Sequence, residues 1–491
     1  MADPLFDVSR RKFIQMSTAA LAVAPTVLSE SAAQDSSPNG RLRIGFIGMG
    51  GRCQEHLDSA IRLQNETGTV EVAAVCDVFI RHRDQAVQKV LEGTKHKPYA
   101  TGDYRQIIED KSIDAVCIAT PDHWHAKQTL DAFQAGKHVY CEKPMTHNVD
   151  EALQVFQAWK ESGLVMQVGV QSTQLPVWQE ARERIARGQL GKVMQYQTEF
   201  FRNSDMGQWR YYQLTEDMNP KNIDWKMFLG TEYGLAPAMD FDRAKFAQWR
   251  CYWTFGSGMF TDLFVHRTTS MLSATGLRFP GRVTGAGGIY LEYDSRHVPD
   301  VATVVADFRE GVQGIVTATM CSEETPLQQT IRGHHGSFVF GTGEEFTGFD
   351  FLAERPQVTH NSKIKNERID VNKSEDTSFA HFKNFCDAAI EGNPELVKCS
   401  PELGAAAMVI VKLGAESYRQ GKVFHFDRET MKVTDGNPSW AQGWEAMSEQ
   451  RSPARQIAGW SAGETGSKLI PKDYQRLEGP WINGIDPATK S

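Results

Sequence analysis

From residue 41 the chain alternates short apolar runs with longer stretches whose apolar residues recur at helical spacing. Arg41 to Ile47 alternates and then runs apolar, as a buried strand should, and "QEHLDSAIRL" behind it has the three-and-four spacing of a helix. The same alternation continues with "VEVAAVCDV" as a strand, "DYRQIIED" as a helix, "IDAVCIAT" as a strand, "HAKQTLDAFQAG" as a helix and "KHVYCEKPM" as a strand. Strand and helix in turn predict a doubly wound parallel sheet. Further on the period changes to two, and "KVMQYQTEF", "VATVVADF" and "QGIVTATM" read as strands that face a core on one side. Helix returns in "SFAHFKNFCDAAIEG" and "GAAAMVIVKLGAESYRQG". The pattern predicts an α/β chain, with an N-terminal Rossmann-like domain over 41–165 and a C-terminal α+β domain over 166–430. Residues 431–491 show no clear period and are expected to wrap the core as a tail.

The first forty residues follow a different logic. Arg10, Arg11 and Lys12 precede an apolar stretch from Met16 to Leu28, and small residues follow from Ser31, the layout of a signal peptide. The apolar part is shorter than the roughly 20 residues a spanning helix needs, and Pro25 interrupts it. "SRRKFIQ", residues 9 to 15, resembles the twin-arginine pattern, which serves proteins that cross a membrane already folded. Residues 1–33 are therefore expected to be a twin-arginine signal and 34–40 a linker, which predicts a periplasmic protein with no transmembrane segment.

A length of 491 residues suits two domains, and a net charge of −8 argues against a nucleic-acid partner, which needs a basic footprint. A small-molecule partner fits better. The eight cysteines form no C-x-x-C pair, and Cys76, Cys117 and Cys141 fall in or beside predicted strands as small core residues. No metal site is expected.

The first predicted strand ends in Gly48-Met49-Gly50-Gly51-Arg52-Cys53 before a helix. Gly48 suits a tight turn, Gly50 admits a pyrophosphate close to the backbone, and the helix start offers free N–H groups. Cys53 stands where the third glycine of the fingerprint belongs. The second strand ends in Asp77, whose carboxylate suits the hydroxyls of an adenosine ribose and would repel a 2′-phosphate. NAD is therefore expected rather than NADP, although an aspartate here can also simply cap the next turn.

"GFIGMGGRCQEH", "VCDV", "ATPDHWH" and "AGKHVYCEKP", in this order, resemble the Gfo/Idh/MocA oxidoreductases, and the resemblance runs through "WRCYWTFGSGMFTDLFVH" to about residue 430. It implies an open, largely antiparallel sheet after the Rossmann-like domain, with ligand at the junction, and often a dimer or tetramer. It also implies cofactor contacts from Thr120, Pro121, His123, His125, Glu142, Lys143 and Gln171, together with the glycine loop and Asp77. Lys143 of the E-K-P motif would hydrogen-bond a substrate hydroxyl, with Pro144 fixing the turn that aims it.

Asp262 and His266 stand four apart, which puts them on one face of a helix, where a carboxylate can orient an imidazole. Their spacing matches the family's catalytic pair, although Thr269 stands where the common form has an aspartate. Sequence does not decide whether Lys143 or His266 is the base. Trp249, Arg250 and Tyr252 suggest a wall for a sugar ring, or they are simply core. The implied activity is hydride transfer between bound NAD and a secondary hydroxyl of a sugar, glycoside or cyclitol. Two alternatives stand beside it. One is the family's NAD-dependent glycosidase chemistry, in which transient C3 oxidation permits elimination and hydration; the retained Lys143 speaks against this branch. The other is a non-catalytic sugar-binding protein. Export further implies a tightly held cofactor, since no NAD pool exists outside the cytoplasm.

Overall fold

A computed structural model describes residues 40–341, 347–359, 361, 363–372, 376–434 and 439–450. The expected signal peptide, the linker up to residue 39 and the tail from 451 lie outside the described residues.

Six strands build the first sheet: β1 Leu42–Ile47, β2 Val70–Cys76, β3 Tyr99–Thr101, β4 Ala115–Ile118, β5 His138–Glu142 and β6 Met166–Gly169. Their order is β3-β2-β1-β4-β5-β6 and every pair is parallel. Helices cover both faces, so β2 and β4 are buried at every position and carry no polar alternation. Register positions the site. Ile47 lies opposite both Cys76 and Ile118, and Ile118 lies opposite Cys141, so the loops after β1, β2, β4 and β5 emerge at one level. The strand order reverses between β1 and β4, which opens a crevice at that edge. Because β6 pairs with β5, the domain boundary expected at residue 165 moves beyond Gly169. Helix Thr377–Glu391 also returns to this sheet, where Phe382 and Phe385 join the core of β1 and helix Gly51–Glu66.

The second sheet has ten strands: β7 Val193–Phe201, β8 Arg282–Gly288, β9 Val301–Phe308, β10 Val312–Thr319, β11 Gln329–Gly333, β12 Gly336–Phe340, β13 Gly348–Ala353, β14 Glu367–Asp370, β15 Phe424–Asp427 and β16 Lys432–Thr434. They run in the order β14-β13-β12-β11-β7-β10-β9-β8-β15-β16, antiparallel throughout except for the β7/β10 pair. β9 and β10 bury alternate residues, as their period-two pattern predicts. Helices Val265–Thr275 and Pro401–Gln420 lie on the buried face, and one apolar cluster runs from Ile47 through Phe264 and Leu403 to Phe426. The two sheets therefore share a core, which fixes the crevice of the first against the strand ends of the second.

All eight cysteines are free thiols, and Cys76, Cys117 and Cys141 are buried strand residues. Of the expected tail, β16 extends the sheet beside β15, and Trp440 of helix Ser439–Gln450 packs on Arg282 with 5.6 Å between guanidinium and ring. Among the described residues no helix is long and apolar enough to cross a membrane.

Candidate active site

A cavity of about 630 Å³ runs from the glycine loop after β1 to helix Val265–Thr275. Its inner end is a cradle. Gly48 has φ +87°, and a Cβ there would stand 2.8 Å from the Thr120 nitrogen and 2.9 Å from the Ala119 oxygen, so the β1 and β4 loops touch only because this residue is glycine. Gly50 and Gly51 face open space. Helix Gly51–Glu66 starts without a side-chain cap and without an acidic residue in its first turn. Its free N–H groups and positive end are left for an anion.

Asp77 closes the cradle on the β2 side. One carboxylate oxygen accepts from the Met49 N–H at 2.6 Å and the other from the Phe79 N–H at 2.7 Å, which leaves lone pairs on both oxygens for hydroxyl donors. Met49 takes part through this N–H, since its side chain is buried against Cys53. Arg52 Nη2 is buried without a partner among the described residues, on a side chain that lines the cavity. An uncapped helix start, an open glycine pair, an uncommitted guanidinium nitrogen and a carboxylate at the next strand end together fit a dinucleotide. Gly48→Ala is expected to empty the cradle: the positive φ alone costs about 1–2 kcal/mol, and the Cβ pushes two backbones apart. Nucleotide released on denaturation, measured beside Tm, checks this. Wild-type nucleotide content in the variant would refute it.

Glu142, at the end of β5, is buried and binds the helix of the cradle. Its Oε1 accepts from Arg52 Nε at 2.8 Å and meets His56 Nε2 at 2.7 Å, while Oε2 accepts from the Lys143 N–H at 3.0 Å. Burial opposes its charge, but Arg52 and His56 hold it well below the ordinary glutamate range. The carboxylate so fixed aims the next residue. Lys143 Nζ donates to Asp262 Oδ1 at 2.6 Å and to the Asp262 carbonyl at 3.0 Å. Arg250 Nε also reaches Asp262 Oδ1, at 3.1 Å, and Trp209 Nε1 donates to Oδ2 at 2.8 Å.

Asp262 therefore orients Lys143 and Arg250, and neither oxygen bonds His266. The reason lies in the backbone: Phe260–Phe264 forms a π-helical turn, which widens the helix between the two residues. Burial opposes the charge of Asp262, but Lys143 and Arg250 hold its pKa far below the carboxylate range. His266 lines the cavity beside Phe200, and burial together with Lys143 lowers its pKa to about 3. Its imidazole is neutral at physiological pH.

Residues 42–170 match the family model "Oxidoreductase family, NAD-binding Rossmann fold", and residues 229–339 match "GFO/IDH/MocA C-terminal domain". The chain belongs to the Gfo/Idh/MocA family. Over 118 residues it is 35% identical to an alpha-N-acetylgalactosaminidase of Shewanella oneidensis, and 36% identical to a glycosyl hydrolase family 109 protein of Shewanella baltica. These alignments cover 23% of this chain, which spans about 25% of the length of those relatives. Levoglucosan dehydrogenase, solved with NADH and levoglucosan, superposes with TM-score 0.58 at 20% identity, over 78% of this chain and 98% of that one. The WlbA dehydrogenase of Bordetella pertussis, solved with NADH and UDP-GlcNAcA, gives TM-score 0.56 at 18% identity, over 79% and 99%. At these identities the structures share the fold.

Not every residue assigned by resemblance to the Gfo/Idh/MocA cofactor or substrate reaches the cavity. Thr120 and Pro121 line it, and so do Trp249 and Arg250. His123 instead turns inward, with Nε2 at 2.9 Å from the Phe228 carbonyl, and burial lowers its pKa to about 4. His125 bridges two cavity loops from behind: its ring nitrogens stand 2.8 Å from the Thr120 carbonyl and 2.6 Å from the Pro144 carbonyl. Burial disfavours its proton, yet Cys141 and these two carbonyls raise its pKa. Gln171 lies in a 3-10 turn, its side-chain oxygen buried without a partner among the described residues. Tyr252 is buried edge-on to His297, 5.2 Å between ring centres. For His123, His125 and Tyr252 a neighbouring segment supplies the burial partner.

Other cavity groups are Trp124, from the loop that the resemblance sets against the cofactor, and several residues outside every motif. Trp124 faces the cavity where its histidine neighbours do not, and Phe200, Arg202, Tyr211 and Tyr212 line its outer end. Trp209 is fully buried, and only its bond to Asp262 reveals its place. Asp122 lies behind Arg250 and Thr261, and burial lifts its pKa to about 7 despite the nearby cations. Among the described residues no cluster of His, Cys, Asp or Glu could hold a metal.

Proposed function

We propose that the chain oxidises a secondary hydroxyl of a sugar, glycoside or cyclitol against tightly held NAD. The observation that carries this reading is the Lys143–Asp262 contact of 2.6 Å at the wall of the cavity that also holds the glycine cradle and His266. NAD, when bound, supplies the acceptor for the hydride leaving the carbinol carbon. Lys143, fixed by Asp262, donates to the hydroxyl oxygen and stabilises the negative charge that builds there. The hydroxyl proton passes to the neutral imidazole of His266. Arg250 and Trp209 keep Asp262 ionised and oriented, which keeps Lys143 a donor. The "SRRKFIQ" stretch supports export of the folded protein by the twin-arginine route to the periplasm, which in turn requires a cofactor that stays bound.

The test starts from purified mature protein, denatured to identify released nucleotide, and continues with the intact protein and a glycoside panel. Near-stoichiometric NAD and a keto sugar support the reading. Protein that neither retains nor binds nucleotide sinks it. Free aglycone without net NADH would favour the glycosidase reading, which the similarity to glycosyl hydrolase family 109 relatives keeps in view. The pH profile tests the base. With His266 near 3, kcat/KM for oxidation should show no acidic limb around 6.5, the ordinary histidine value, and should hold its level down to about pH 5. A limb between pH 6 and 7 would overturn the lowered value for His266, and its persistence in His266→Gln would exclude His266 as the base.

A further inference from the structure

The cations that line the cavity differ in one respect. Arg52 is paired with Glu142, and Lys143 and Arg250 share Asp262. Arg202, the residue after β7, lines the same cavity, yet no carboxylate among the described residues pairs with its guanidinium. Its guanidinium stacks on the ring of Phe200 at 4.7 Å, a ring that also carries Arg267 at 4.8 Å. A stacked guanidinium is held flat while its in-plane N–H groups stay available to a ligand. Phe200 also adjoins His266, 6.4 Å between ring centres, so the arginine sits one side chain away from the proposed chemistry.

Charge in this region is unbalanced. Lys143 and Arg250 bring two positive charges against the single carboxylate of Asp262, and Arg202 adds a third. Of the further carboxyls beside them, Glu142 lines the cavity but is already paired with Arg52, and Asp122 is buried and does not line it. A neutral sugar would leave this excess uncompensated. Tyr211 and Tyr212, part-exposed at the outer end, offer faces for a pyranose ring, which orients such a ligand without neutralising anything.

We infer that the sugar carries an anionic substituent, a carboxylate or a sulfate ester, and that Arg202 receives it. This rests on the proposed sugar-oxidising function and narrows its substrate class. A planar fork of N–H donors matches a carboxylate two bonds at a time, which a lysine at the same place cannot do. Arg202 thereby sets specificity rather than taking part in the hydride step.

The experiment uses the full mature chain with its nucleotide bound, as wild type, Arg202→Gln and Arg202→Lys, all checked for equal Tm and nucleotide content. Titration calorimetry with D-glucuronate, its methyl ester, D-glucose 6-sulfate and D-glucose measures binding, and absorbance at about 340 nm follows reduction of bound NAD. Wild type is expected to bind at least one of the two anions roughly 10- to 100-fold more tightly than its neutral counterpart, the range of a charge-assisted hydrogen bond. R202Q should bring that ratio close to one, and R202K should keep part of it. Which anion gains more decides between carboxylate and sulfate. Equal affinity for charged and neutral sugars in wild type, or a preference that survives R202Q, would overturn the inference. Tight anion binding lost in R202Q but never followed by NAD reduction would leave the anion site standing and remove the oxidase reading.

Discussion

Lys143→Met is expected to lower kcat for sugar oxidation by about 10²–10⁴-fold, the range for loss of a positioned acid–base group, with nucleotide content unchanged. The lysine donates to Asp262 at 2.6 Å, and its removal does not strand a buried charge, because Arg250 and Trp209 still hold that carboxylate. Stability should therefore change little while chemistry is lost. KM should move less than kcat, since the ammonium interacts with charge that develops on the hydroxyl oxygen rather than with the resting hydroxyl. Asp262→Asn tests the anchor. Two cations then face each other without a counter-ion, so the ammonium is displaced and kcat should fall by a similar factor, with a larger loss of Tm than in K143M. Single-turnover reduction of bound NAD, with Tm and released nucleotide measured on the same preparations, separates the two effects. If K143M retained wild-type kcat, Lys143 would have no part in the reaction.

The parts of this site that lie at strand ends were legible in the sequence, and the reason is register. Gly48, Asp77, Thr120 and Glu142 each end or follow an apolar run, and in a parallel sheet such ends align. Where a residue points once it is on a helix was not legible. His123, Trp124 and His125 are consecutive, yet only Trp124 faces the cavity, because the Phe228, Thr120 and Pro144 carbonyls draw the imidazoles away. The pairing of Asp262 with His266 rested on an ordinary helix, and the π-turn at Phe260–Phe264 breaks that assumption. Trp209 lies far from every motif, and Arg202 follows the end of a period-two strand, where the alternation no longer says which way a side chain faces. They enter the site through the placement of β7 and of the loop behind it, which no local pattern encodes.

Acidification should unfold the protein well before its carboxylates are neutralised, with Tm falling steadily between pH 6.5 and 4. Burial is the main cause that holds His123 and His138 near 4 and His266 and His381 near 3, whereas in the unfolded chain each titrates near 6.5. Below 6.5 the unfolded state therefore binds protons that the folded state refuses, and stability falls as pH falls until the folded values are reached. Each pH unit of that interval is worth about 1.4 kcal/mol per histidine, so four such groups amount by pH 4 to roughly the whole stability of an ordinary domain, about 5–15 kcal/mol. His125 and Asp122 work in the opposite direction: the raised pKa of His125 makes its contribution full below 6.5 and lost only as pH rises, and Asp122, lifted to about 7, takes up in the folded state a proton that the unfolded chain accepts only near 4. Two groups do not offset four. Glu142 and Asp262, held low, add their loss only below the ordinary carboxylate range, near pH 4. Urea unfolding followed by tryptophan fluorescence at half-unit pH steps should give a slope equivalent to about three or four protons near pH 5. His381→Gln, which removes a fully buried imidazole bonded to Tyr140, should reduce that slope by about one proton even if the variant is less stable at pH 7. A stability that stays level from pH 7 to 5 would mean that these histidines titrate normally in the folded protein, and His266 would then lose its neutral form, and with it the proposed proton transfer, below about pH 6.5.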